Sequence, residues 1–106
     1  MNWKTLVSGD RTPSDSLTLG YARVPPGGHL APHHHAPAEI YFILAGAGTL
    51  TLGDATHPVR AGNAVFIPGD ARHGIANAGD SDLLFVYAFP TDSFAQVEYH
   101  FEPEPK

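Results

Sequence analysis

Residues 33–44 read HHHAPAEIYFIL, three histidines and a proline turn leading into an apolar run headed by Glu39. The run at residues 39–44 is rich in β-branched and aromatic side chains and apolar at both phases of a strand. It therefore reads as a central strand buried on both faces. If residues 33–35 are extended, His33 and His35 leave the backbone on one face and His34 on the other. Glu39 opens the next strand just past Ala36-Pro37, and its face continues through Tyr41 and Ile43.

The flanking sequence repeats this style of short strand and sharp turn. The 106 residues include 11 Gly and 10 Pro, which disfavours a helical bundle because both break helix interiors. Residues 16–24 (SLTLGYARV) alternate and stop at Pro25-Pro26-Gly27-Gly28. Residues 49–52 and 56–60 flank a Gly53-Asp54 hairpin signal, and Pro58 marks the second of them as near an edge. Residues 64–67 (AVFI) end at Pro68-Gly69-Asp70, residues 73–77 and 83–89 flank a turn, and a last strand falls within residues 96–101. One helical turn is expected near residues 90–94, and the Pro- and charge-rich tail, residues 102–106, is expected to fray. Evenly spaced strands with Gly/Pro turns predict an all-β sandwich or small barrel, one domain over residues 1–106.

Composition removes several classes of function. Eleven acidic residues against six basic ones, a net charge of −5, and no basic run disfavour nucleic acid as a partner. The absence of cysteine excludes a disulfide framework, a thiolate nucleophile and a Cys-ligated zinc or iron–sulfur site. Residues 1–10 carry too short an apolar stretch for a signal peptide, and no run is long enough to span a membrane, so a soluble cytoplasmic protein is expected. The apolar strands at residues 39–44 and 83–89 suggest a homodimer.

His73 opens a later strand, again just after a Pro-Gly turn. His33, His35, Glu39 and His73 together offer three neutral nitrogens and one anionic oxygen at strand ends, a set suited to a divalent metal of borderline softness. On spacing alone, a histidine run between prolines reads equally as a solvated loop.

Two longer patterns add to this. Gly27, five residues, His33-x-His35, three residues, Glu39, six residues and Gly46 resemble the first cupin motif at every position. Gly62, five residues, Pro68, His73 and, beyond three more residues, Asn77 resemble the second, with Asp70 standing where the family has a glycine. The motifs span residues 27–46 and 62–77. The resemblance implies a cupin-type β-barrel (a double-stranded β-helix, or jelly roll) in which His33, His35, Glu39 and His73 bind one divalent transition metal: Fe, Mn, Ni, Co, Cu or Zn. His29, His34, His57 and His100 match no ligand position; the first three read as surface residues and His100 is unassigned.

Residues 35–41 (HAPAEIY) and 89–99 (FPTDSFAQVEY) are similar to the small cupin lyases that cleave dimethylsulfoniopropionate (DMSP), in which the counterparts of Tyr41 and Tyr99 line the active site. His34 departs from that group, which has a tyrosine-like residue between the ligands. This likeness implies a lyase acting on DMSP or a related small carboxylate by β-elimination, with Tyr41 as base and Tyr99 anchoring the substrate or assisting the proton transfer. Cupins also include Fe(II) dioxygenases, isomerases and non-catalytic binders, and these are the alternatives. Among aromatic residues, Tyr21 and Phe66 are expected to face the pocket, while Tyr87 is expected to be structural.

Overall fold

Antiparallel pairing organises the chain, described over residues 1–103 in a computed structural model, into two five-stranded sheets. The strands are β1 (Asn2–Val7), β2 (Thr18–Val24), β3 (His29–His34), β4 (Glu39–Ala45), β5 (Ala47–Leu52), β6 (Ala55–Arg60), β7 (Ala64–Ile67), β8 (His73–Ala76), β9 (Leu83–Phe89) and β10 (His100–Phe101). One sheet runs β1-β2-β9-β4-β7 and the other β10-β3-β8-β5-β6. From β2 onward the chain keeps crossing between the sheets, which is jelly-roll topology. Pairings among the described residues do not close the sheets into a ring, so the barrel is a two-layered sandwich.

Turn chemistry fixes the connections. Gly53 has φ +61°, as the first central residue of a type II′ hairpin requires, and β5 and β6 pair across it from Leu52 and Ala55 outward. Gly46 has φ +81°, and a Cβ there would stand 2.4 Å from the Asp82 carbonyl oxygen. Asp70 adopts φ +60°, the left-handed conformation that a glycine takes most cheaply and that Asp tolerates. It thus fills the family's glycine position in backbone terms, and its N–H donates to the His35 carbonyl at 2.8 Å.

The core lies between the sheets, where Ile43, Leu50, Ile67, Leu83 and Phe85 are fully buried. Removing each such side chain from water stabilises the fold by about 1.5–3 kcal/mol. β4 has two strand neighbours, as expected, but only its Glu39, Tyr41 and Ile43 face is buried. Ile40, Phe42 and Leu44 stay 43–51% exposed, because a sandwich of two sheets covers one face of each.

Three further differences separate structure from expectation. β1 was not anticipated. The helical turn lies at Phe94–Gln96 rather than four residues earlier, and it shortens the last strand to two residues. Glu102 is not frayed: Arg72 Nε donates to its Oε1 at 2.6 Å, while residues 104–106 lie outside the described part.

Candidate metal centre and adjoining cavity

A β-bulge sets the centre of the site. β3 pairs with β8 as Leu30↔Ile75 and then, after one extra residue, as His33↔His73. An unbroken ladder would have placed His33 opposite Arg72; the bulge, between Leu30 and His33, turns it onto His73 with ring centroids 4.2 Å apart. His35 follows one residue past β3 on the same side, and Glu39 enters from the first residue of β4. One ring nitrogen from each of His33, His35 and His73 lies within 4.8 Å of the other two. Glu39 Oε1 is 3.0 Å from His35 Nε2 and 3.3 Å from His73 Nε2. All four side chains are at most 2% exposed, so the structure brings together every ligand candidate named from sequence.

Hydrogen bonding fixes which nitrogen each ring offers. His33 Nδ1 donates to the Ala31 carbonyl at 2.8 Å, His35 Nδ1 to Pro37 at 2.9 Å and His73 Nδ1 to Ala71 at 2.8 Å. A carbonyl only accepts, so each Nδ1 carries the proton and each Nε2 is turned to the shared centre. The Nε2 atoms of His33 and His73 are buried without a hydrogen-bond partner. Such orphaned groups cost about 1–3 kcal/mol each, and coordination to a cation would satisfy both. Burial, chiefly, pushes His33 down to about 4, keeping it a neutral donor. For His35 burial works in the same direction, but the hydrogen bond and charge of Glu39 outweigh it and the net shift is upward. The proton held between His35 and Glu39 is the one a metal would displace. The donor set therefore fits a divalent transition metal.

Glu39 also lines a cavity of about 240 Å³ between the sheets, together with Tyr41, Tyr87 and Tyr99. Tyr41 packs against Phe85 at 4.5 Å and edge-on to His73 at 6.2 Å. Tyr99 stacks on His33 at 4.8 Å and meets His35 edge-on at 5.1 Å. Burial, seconded by the negative charge of Glu39, pushes both phenols well above the ordinary tyrosine value. The two tyrosines named from sequence thus share one cavity.

The remaining aromatic assignments change. Tyr21 pairs with Lys4 and Val86 on the outer face, and Phe66 is 62% exposed beside Ile40. Tyr87, expected to be structural, lines the cavity and hydrogen-bonds Thr5 Oγ1 at 2.9 Å. Its hydroxyl occupies the space a side chain on Gly20 would need. Trp3, Phe94 and Phe101 also reach the cavity. His29, His34 and His57 are exposed, as expected, and His34 stacks on His100 at 5.0 Å. Asn77 of the second motif stands away from the centre: its Nδ2 donates to the Val24 and Ser81 carbonyls, and its Oδ1 accepts from the Gly79 N–H.

The model of the cupin domain family matches residues 20–89, and the chain belongs to that family. Among its relatives, the dimethylsulfoniopropionate lyase DddW of Ruegeria pomeroyi is 43% identical over 101 residues, which is 95% of this chain and 66% of that one. The chain therefore spans slightly less than two thirds of that lyase. The oxalate-binding protein of Thermotoga maritima is 35% identical over 82 residues, 76% of this chain and 68% of that one. The polyketide cyclase RemF from Streptomyces resistomycificus superposes with a TM-score of 0.81 at 23% identity, over 98% of this chain and 72% of that one. At that identity the likeness speaks for the fold alone. No helix among the described residues is long and apolar enough to cross a membrane.

Proposed function

We propose that this cupin is a metal-dependent lyase that cleaves DMSP, or a related small carboxylate, by β-elimination. The observation that carries the reading is that Tyr41 and Tyr99 face one cavity with Glu39, which also bridges the histidine cluster. The 43% identity to a DMSP lyase supports it. His33, His35, Glu39 and His73 would hold one divalent metal, and Fe, Mn, Ni, Co, Cu and Zn all accept such donors. Bound there, the metal supplies a Lewis-acid contact for the substrate carboxylate and a positive charge that favours ionised phenols nearby.

The remaining steps fall to the chain's own groups. Tyr41, as phenolate, removes the proton on the carbon next to the carboxylate, while the carbon–sulfur bond breaks and its electron pair leaves with sulfur. Dimethyl sulfide and acrylate form, and the proton rests on the Tyr41 oxygen. Without a metal, burial and Glu39 keep that phenol protonated, so the base becomes competent only when a compensating charge is present. Tyr99, stacked on His33, anchors the substrate within the cavity. The same reading takes residues 1–106 as one domain of a soluble cytoplasmic enzyme with a small-molecule partner.

Purified, metal-loaded protein mixed with DMSP should release dimethyl sulfide into the headspace. Replacing Tyr41 by Phe should lower the rate by about 10²-fold or more at unchanged metal content, the size of a general-base contribution. Release no greater than from metal-free protein would exclude DMSP. The likeness to an oxalate-binding protein favours a second reading, a carboxylate binder without turnover, whose mark is affinity that survives Tyr41→Phe with no product in either form.

A further inference from the structure

The register of β1 carries an unexpected residue to the cavity. Trp3 pairs with Ala22 and Thr5 with Gly20, so Trp3 and Thr5 share the inner face with two very small neighbours. Ala22 leaves room beneath the indole, and Trp3 stays 58% exposed while lining the cavity mouth. Phe101 of β10 reaches the same space from the opposite sheet, and its ring lies 6.1 Å from Tyr99. Phe94 continues the wall, 5.9 Å from Tyr87 and 6.2 Å from Tyr99.

Two properties of this wall limit what it can hold. Seven of the eleven lining residues are aromatic, and Glu39 is the one lining side chain that carries a charge. No Lys, Arg or His lines the cavity among the described residues, and its walls present π-faces. A volume of about 240 Å³ admits a small molecule, below the usual range for drug-sized ligands.

From these we infer that the wall of Trp3, Phe94, Tyr99 and Phe101 is a recognition site for an onium group, a methylated sulfonium or ammonium, borne by a short zwitterion. The inference rests on the proposed function in one respect: the carboxylate of that zwitterion is taken to point to the metal end, at Glu39. The cation then lies at the mouth, where indole and phenyl faces replace its water without needing a counter-charge. Aliphatic walls would favour a neutral branched end over a charged one; aromatic walls reverse that order. Trp3 is in this sense a specificity-determining residue, supplied by the strand least conspicuous in the sequence.

Glycine betaine and 3,3-dimethylbutanoate form an isosteric test pair: each joins a branched trimethyl head through one methylene to a carboxylate, and the heads differ in charge alone. Calorimetric titration of metal-loaded protein should show the betaine binding about tenfold or more tightly, and Trp3→Leu should erase most of that preference. Trp3 is the single tryptophan, so its fluorescence should also respond to the betaine in the intact protein. Equal affinity for the pair, or tighter binding of the neutral acid, overturns the inference. Dimethyl sulfide release without betaine preference leaves the lyase reading standing and removes the onium site. Betaine preference without dimethyl sulfide release does the reverse.

Discussion

Three backbone carbonyls, those of Ala31, Pro37 and Ala71, settle which nitrogen of each histidine faces the centre before any metal arrives. Each accepts a hydrogen bond from Nδ1–H and so turns Nε2 inward, and removing one ring takes away a donor that no neighbour replaces. His73→Ala should reduce metal, measured by elemental analysis of protein purified without a histidine tag, from about one per chain to a small fraction. Equal metal in wild type and variant would falsify the site. The ligand positions were legible in sequence through the resemblance to the two cupin motifs, since the spacing of the histidines alone reads equally as a solvated loop. Tyr41 was legible through strand geometry, lying two residues from Glu39 on one strand face. The second face of Tyr87 was not: it sits in LLFVYAF, where every position is apolar or aromatic and the phase of the strand leaves no mark.

At the scale of elements, local pattern identified most of the strands, and long-range register decided what they present. β1 (NWKTLV) has no apolar alternation of its own, and antiparallel pairing with β2 alone turns Trp3 and Thr5 inward. The bulge between Leu30 and His33 is equally invisible locally, since it exists only in relation to β8. Asn77, by contrast, was flagged by its motif, and the structure gives the physical reason. It ties the end of β8 to β2 and to the loop entering β9, using both Nδ2 hydrogens and Oδ1 in a site 3% exposed. Asn77→Ala should destabilise the protein by about 2–4 kcal/mol in thermal or denaturant unfolding, since a buried carbonyl loses its donor. A loss under about 0.5 kcal/mol would show that water takes over the vacated bonds. Metal affinity should be affected less than stability, because Asn77 touches none of the four candidate ligands.

For the whole molecule, the outer face of the first sheet stands out. Phe66 lies beside Ile40, Ile40 beside Ala88, and Phe42 beside Val86, a continuous apolar surface facing away from the site. We propose that two copies appose this patch about a two-fold axis, giving the homodimer expected from sequence. Light scattering after gel filtration should give twice the chain mass for wild type and the chain mass for Phe42→Glu; a monomeric wild type would remove the proposal. The cavity leads to a different consequence. Its mouth is built from the outermost strand of each sheet, β1 carrying Trp3 and β10 carrying Phe101, and each of these strands has a neighbour on one side only. Such margins open at lower free energy than the centre of a sheet. Whatever fills the cavity therefore also fastens both margins, so that capture of a small molecule and closure of the sandwich become a single thermodynamic event.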